Sequence, residues 1–332
     1  MSRGSGLFSK FATVGGATLA SRILGFAREA MIAAALGIGP VADVFYTCFR
    51  FPNLFRRLFA EGAFNIAFVP LFAKELEAGG EAAANKFGQE VFAVLATWLM
   101  VFTLVALAVM PFLVSTVVAP GFTDSPEKFD LAVVMTRIMF PYLLLISLAA
   151  LLQAVLNSHD RFLLSASTPM FYNLTIAGTA WWVIPRVANP APVLSVAVLV
   201  GGLLQFAVQG PAVRRLGFSL RPLWSGFSSP QVKAVLLLML PGIPVLGINQ
   251  INQLVSNRFA SFIDSGVSYT YGAYRVTELV FGAIVVQLTT VLLPLLSREL
   301  REDPQNAPRT LLGTVTLVSF VTLPAAVVMA VL

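Results

Sequence analysis

Stretches of twenty or more mainly apolar residues recur along this chain and leave it few ways to fold. They fall at about 11–36, 42–73, 91–118, 131–156, 162–185, 192–213, 234–263, 268–296 and 310–332. A bilayer's hydrocarbon core takes ~20 apolar residues of helix to cross, with every backbone group bonded inside the segment. Runs this long show no apolar–polar alternation, which argues against a membrane barrel. The fold class is therefore all-α, a polytopic membrane helix bundle with about nine spans. Only 11% of the residues are charged and mean hydropathy is +0.83, whereas soluble domains run near ~25% charged. The first run lacks an A-x-A cleavage site and reads as a retained span, not a secretory signal.

Basic residues set the orientation. With a cytoplasmic amino terminus, Arg3, Lys10, Lys74, Lys86, Arg161, Arg214, Arg215, Arg221, Lys233, Arg298, Arg301 and Arg309 lie inside. The opposite loops hold only Lys128 and Arg186. This positive-inside bias also explains the net charge of +6 without invoking nucleic acid. The single cysteine, Cys48, excludes an intramolecular disulfide and a cysteine-based metal cluster, and reads as a small buried residue. The lone His159, in a polar NSHDR connector, has no ligand partners in sequence, so no metal site is expected.

Eight arginines remain inside the spans: Arg22, Arg28, Arg50, Arg56, Arg57, Arg137, Arg258 and Arg275. An ionisable group in hydrocarbon costs about 2.5–3.5 kcal/mol on insertion scales, so such residues face a cavity or a partner. They are densest between Ser21 and Glu75, where Glu29, Asp43 and Glu61 accompany them. Asp43, Arg50, Arg57 and Glu61 share one helical stripe if the helix continues through Pro52, and Arg56 widens the arc. The expectation is a cationic pocket; the alternative is a closed ion-pair network that only locks helices together. Arg50 also fits a helix end beside Pro52, and Arg137 and Arg258 fit helix ends from which they snorkel.

An internal echo divides the chain. FYTCFRFPNL at 45–54 resembles TYGAYRVTEL at 270–279, pairing Tyr46 with Tyr271 and Arg50 with Arg275. PLFAKE at 70–75 resembles PLLSRE at 294–299 in nearly the same register. A duplicated unit of about six spans places the substrate site between two parallel lobes, with Glu278 one turn from Arg275 to orient it. The expected division is an amino-terminal lobe over 1–213 (spans 1–6), a connector over 214–233, and a partial second lobe over 234–332 (spans 7–9). The connector, RRLGFSLRPLWSGFSSPQVK, reads as an amphipathic segment on the cytoplasmic surface or as an ordinary loop. The chain stops at Leu332 inside an apolar run, and on the repeat it reads as carboxy-terminally truncated, the second lobe incomplete.

Several of these stretches together resemble the MurJ/MviN family. They are SRILGFAREA, the Asp43 position, FPNLFRRLFAEGAF with FVPLFAKE, APGF at 119–122, FPYLLLISL at 140–148, QIN at 250–252 and ASF at 260–262. That family comprises bacterial lipid II flippases of the multidrug/oligosaccharidyl-lipid/polysaccharide exporter superfamily, with two pseudo-symmetric six-helix lobes and two further helices that form a lipid-tail groove. The resemblance implies a transporter, not an enzyme. Its expected work is moving lipid II, the undecaprenyl-diphosphate-linked disaccharide pentapeptide, from the inner to the outer leaflet of the cytoplasmic membrane by alternating access, for peptidoglycan and cell-wall synthesis. Carried over by position, Arg22, Arg28, Asp43, Arg56, Glu61 and Arg275 are the implied substrate-binding residues. Glu29, Arg50, Arg57 and Glu278 support them. No cofactor is implied; turnover is driven by the membrane potential or by a sodium or proton gradient. Cell-wall synthesis enzymes are the implied protein partners. Two departures from the family pattern are Val280, where many relatives have proline, and Arg258, where they are apolar.

Two other readings compete. A flippase for another polyprenyl-diphosphate-linked polysaccharide needs the same diphosphate contacts. A membrane enzyme acting on lipid diphosphates needs a general base or an acidic metal cluster. Asp43 and Glu61 are its only candidate pair, and both sit among arginines. Export of cationic drugs is disfavoured, since an arginine-lined cavity repels cations.

Overall fold

The computed structural model describes residues 2–57, 63–275, 277–278 and 307–331. No strand occurs among them, as the apolar runs require. Helix α1 covers Ser2–Leu36 and α2 covers Pro40–Arg56. Helix α3 runs Ala63–Ala108 with a break at Gly80, where φ is 69°. A four-residue α4, Met110–Leu113, leads through a π-turn at Val114–Val118 and a 3-10 turn at Pro120–Asp124. Then come α5 (Pro126–Met139), α6 (Tyr142–Ser158), α7 (Phe162–Trp182), α8 (Pro190–Arg215), α9 (Pro230–Met239) and α10 (Gly242–Ala260). A further helix, α11, begins at 266 and is described to 275; α12 spans Ala307–Val331.

Gly80 is a reversal, not a bend. Phe68 and Phe87 lie on opposite sides of it and would stand about 28 Å apart in a straight helix. Their ring centroids are instead 5.6 Å apart and the rings are stacked. The positive φ, open to glycine without a side-chain clash, lets the chain turn back on itself there. The two limbs of α3 close over a phenylalanine ladder, Phe64, Phe68 and Phe72, at helical spacing. This core continues into Leu151, Leu152 and Val155 of α6 and into Val232, Val235 and Met239 of α9.

Around that core α1 packs on α7, α7 on α8, α8 on α6, α6 on α3 and α3 on α9, while α5 packs against α2 and α8. Among the described residues, three helical stretches are long and apolar enough to cross a membrane: Phe64–Ala108, Pro126–Ser158 and Pro190–Arg215. A break at Leu240–Pro241 separates α9 from α10, and Arg, Asn and Gln dilute the apolar runs of α1 and α10. Those same polar residues build the site described below.

The chain divides into two compact units, Met1–Ser268 and Tyr269–Leu332. The boundary lies downstream of the 214–233 connector, which belongs to the first unit and packs on α3. Helix α2 continues through Pro52, so the stripe from Asp43 to Arg57 is a single helical surface up to its last turn. The Asn53 amide nitrogen donates to the Phe49 carbonyl at 2.7 Å, beside the carbonyl that Pro52 leaves without its helical donor.

Candidate functional site

Two polar clusters occupy the interior of the first unit, one taking Arg28 and the other Arg50 from the arginine-rich stretch. The first is centred on Arg28 of α1. Its Nη1 donates to Asn173 Oδ1 of α7 at 2.9 Å, and its Nη2 pairs with Glu29. The guanidinium lies over two rings, 5.5 Å from the centroid of Tyr172 and 5.9 Å from that of Phe49. The Asn173 amide nitrogen in turn donates to the Ser21 carbonyl at 3.1 Å, which ties α1 to α7. The side chains of Arg28 and Glu29 are 12% and 18% exposed, shielded yet reachable. Aromatic faces stabilise a partly desolvated guanidinium through the ring quadrupole while leaving its edge free for hydrogen bonds.

Tyr172 is held in place from behind. It stacks on Tyr142 of α6 at 5.3 Å, and both rings lie against glycines of α8. A Cβ at Gly201 would approach Tyr172 to 2.8 Å, and one at Gly202 would approach Tyr142 to 2.4 Å. Two adjacent residues without side chains thus make the slot that sets the aromatic floor under Arg28. The Tyr172 hydroxyl is buried without a hydrogen-bond partner among the described residues.

The second cluster is built on Asp43, in the first turn of α2 and fully buried. Its Oδ2 accepts from Lys128 Nζ at 3.0 Å, and its Oδ1 from the Ser268 amide at 2.8 Å and the Ser268 hydroxyl at 2.5 Å. Ser268 is in the first turn of α11, whose amides lack intrahelical acceptors, so Asp43 caps one helix from the start of another. Lys128 also lies 4.3 Å from the Phe122 ring centroid. One turn along α2, Thr47 lies beside Asn257 of α10, whose amide nitrogen donates to the Val118 carbonyl at 3.0 Å. Arg50 reaches the same asparagine at 3.4 Å. Thr47, Arg50, Gln250, Gln253 and Asn257 line a cavity between α2 and α10, with Phe51 and Leu54 on its apolar side.

The residues that the sequence singles out therefore fall in different places. Arg28 and Glu29 share one cluster; Asp43 and Arg50 share the other. Arg22 is exposed on α1. Arg56 Nε donates to Asn53 Oδ1 at 2.9 Å, and Arg57 is half-buried at the end of α2. Glu61, the PLLSRE segment at 294–299 and Val280 lie outside the described residues. In the second unit, Arg275 donates to the Tyr271 hydroxyl at 3.1 Å and 3.0 Å and pairs with Glu278 at 2.6 Å. Arg137 Nε donates to the Leu107 carbonyl at 3.0 Å, and Arg258 pairs with the Thr116 carbonyl. Both are exposed and bind carbonyls where helical bonding breaks down, which favours cations.

Sequence reasoning passed over Phe49, Tyr172, Asn173, Asn257 and Ser268. Asn173 and Asn257 did carry a signal: an amide within an otherwise apolar span. No group of three His, Cys, Asp or Glu side chains placed to hold a metal occurs among the described residues.

The two clusters lie in a polytopic α-helical membrane bundle with arginines held in its interior by amides, a carboxylate and aromatic faces. A family model for the lipid II flippase MurJ matches residues 32–332. A probable lipid II flippase MurJ of Rhizobium tropici is 48% identical over 325 residues, covering 97% of this chain and 61% of that protein. The lipid II flippase MurJ of Burkholderia cenocepacia is 40% identical over 297 residues, covering 88% and 57%. A solved lipid II flippase MurJ in an inward closed conformation superposes with a TM-score of 0.74 at 26% identity, covering 94% of this chain and 63% of that one. The chain belongs to the lipid II flippase MurJ family, and spans about three-fifths of the length of the curated relatives it matches.

Proposed function

We propose that this chain serves in moving lipid II from the inner to the outer leaflet of the bacterial cytoplasmic membrane by alternating access, with its amino terminus in the cytoplasm. Family membership supports the substrate, and Arg28 is the observation that carries the chemistry. Its guanidinium is oriented by Asn173, floored by Tyr172 and Phe49, and neutralised by Glu29 at a partly exposed position. Guanidinium pairs bidentately with phosphate oxygens and stays charged at any physiological pH. A diphosphate approaching beside Glu29 replaces a carboxylate with a phosphate on the same fork, so the arginine is not left unpaired in either state. In the first unit Arg22 and Arg56 add further cations for the substrate, and in the second unit Arg275 is a further substrate-binding arginine. As the family resemblance implies, Asp43 and Glu61 join them as substrate-binding residues, with Glu29, Arg50, Arg57 and Glu278 in support.

The Asp43 cluster is read as the closed outer end. Lys128–Asp43–Ser268 and Thr47–Asn257–Val118 join α2 and the 114–125 turns to α10 and α11. All of these residues belong to the first compact unit; on the lobe division that the internal repeat implies, at the 214–233 connector, the contacts run between lobes and must part for outward release. An inside-negative potential favours outward movement of an anion by about 2.3 kcal/mol per charge per 100 mV. The potential, or a sodium or proton gradient, is thus a sufficient drive. This is transport without covalent chemistry, with cell-wall synthesis enzymes as downstream partners. Another polyprenyl-diphosphate-linked polysaccharide would meet the same arginines, and the family match favours lipid II.

The test is complementation in cells depleted of their own lipid II flippase, using this chain extended by the helices that follow in a relative. Wild type should restore growth and lipid II exposure, whereas Arg28→Ala and Arg56→Ala at matched expression should not. Equal rescue by both variants would reduce the arginines to an ion-pair lock.

A further inference from the structure

The connector between α8 and α9 is bound to α3 along its length. The Asn85 amide nitrogen donates to the Gly217 carbonyl at 2.6 Å, and its oxygen accepts from the Ser219 amide at 3.1 Å. Phe218 is buried against Gly88, and Ser225 Oγ donates to Glu90 Oε1 at 2.9 Å. Gly226 packs so closely on the Glu90 backbone that an added Cβ would lie 2.4 Å from the Glu90 carbonyl oxygen. These contacts pin the connector at the level of Asn85 to Glu90. From Val91 to Ala108, α3 carries no charged residue, so this level is where its polar part gives way to its apolar span.

The outward side of the pinned connector is aromatic and basic. Trp224 and Phe227 stack with centroids 6.1 Å apart and are 65% and 51% exposed. Arg214, Arg215, Arg221 and Lys233 are all exposed around them. No acidic residue lies between Arg214 and Lys233, and Glu90, the acid beneath them, is buried and bonded to Ser225. Tryptophan and phenylalanine at the polar–apolar boundary partition into the headgroup layer, and unopposed cations beside them attract anionic lipid.

We propose that residues 221–227 form an interfacial anchor in which the Trp224–Phe227 pair inserts beneath the phospholipid headgroups. Arg221 and Lys233, with Arg214 and Arg215, bind the phosphates of anionic phospholipid. Because the segment is fixed to α3, the anchor sets the depth of this part of the bundle in the membrane.

Depth-resolved quenching tests this in the full chain, independently of transport. Trp98, Trp181 and Trp182 are replaced by phenylalanine, leaving Trp224 as the reporter, in vesicles of brominated phosphatidylcholine with or without phosphatidylglycerol. Bromines high on the acyl chain should quench Trp224 most, and phosphatidylglycerol should raise that quenching at least about twofold. Arg221→Gln with Lys233→Gln should abolish the phosphatidylglycerol effect. A spin label at Phe227→Cys, with the tryptophans intact, gives the same depth by oxygen accessibility if the triple variant fails to fold. Quenching by aqueous iodide in place of bromolipid overturns the anchor, as does bromolipid quenching indifferent to phosphatidylglycerol. Protection from both quenchers places protein on this surface and equally overturns it.

Discussion

Lys128 donates to Asp43 at 3.0 Å across 85 positions of sequence, and the aspartate it pairs with is fully buried. Removing one partner of such a pair strands the other charge, a loss of about 3–5 kcal/mol in buried systems. Lys128→Met is therefore expected to destabilise the protein more than the double variant Lys128→Met with Asp43→Asn. Thermal unfolding of the four members of this cycle in detergent should give a coupling of about 1–3 kcal/mol. Additive effects would mean that the pair is not formed.

Asp43 also holds the first turn of α11 through Ser268, which is 5% exposed. Asp43→Ala removes the acceptor for both Ser268 donors. A cysteine placed at 268 should react with an impermeant maleimide about tenfold faster or more in the Asp43→Ala background, a loss of ~1.4 kcal/mol or more of local closure. An unchanged rate would show that other contacts keep this end shut.

The floor under Arg28 makes a steric prediction. At Gly202 an added methyl meets Tyr142 at 2.4 Å, whereas at Gly178, in α7, it meets nothing within 4 Å. Gly202→Ala should lower stability by about 1–3 kcal/mol through overpacking. Gly178→Ala should be neutral or stabilising by up to about 1 kcal/mol, from helix propensity alone. Melting temperatures of the two purified variants decide this.

Asn173 and Tyr172 should separate binding from folding. Asn173→Ala removes a hydrogen bond to a charged group, worth about 1.5–3 kcal/mol, and frees the Arg28 rotamer. Lipid II exposure should fall about tenfold at equal expression. Tyr172→Phe deletes a buried hydroxyl without a described partner, so stability should hold or rise. A matching fall in lipid II exposure would make that hydroxyl a head-group donor; unchanged exposure would make it packing only.

Cys48 is fully buried, its thiol within 3.3 Å of the Ala132 carbonyl and 3.1 Å of Thr136 Oγ1. It should resist N-ethylmaleimide in the folded protein and react as α2 separates from α5. Labelling against temperature then reports core unfolding. Rapid labelling of the native protein would mean that the α2–α5 contact is open.

The sequence by itself determined the material and the family. Twenty-residue apolar runs dictate helices, because unpaired backbone groups cannot be left in lipid. Arginines inside those runs demand partners or a cavity, and FPNLFRRLFAEGAF marks the family. What it left open was which surfaces meet. Helical spacing put Asp43 and Arg50 on one face of α2, but could not say that Asp43 would face Lys128 and Ser268, 85 and 225 residues away. It read 42–73 as one apolar stretch, whereas α2 ends at Arg56 and the chain later reverses at Gly80, where a positive φ redirects it. It weighed Arg28 only as a charge, while Asn173, Tyr172 and the Gly201–Gly202 slot, contributed by α7 and α8, decide where its fork points. Periodicity fixes the faces of each helix because it is local. The partners of those faces are fixed by packing, which depends on the shapes of side chains far apart in the chain.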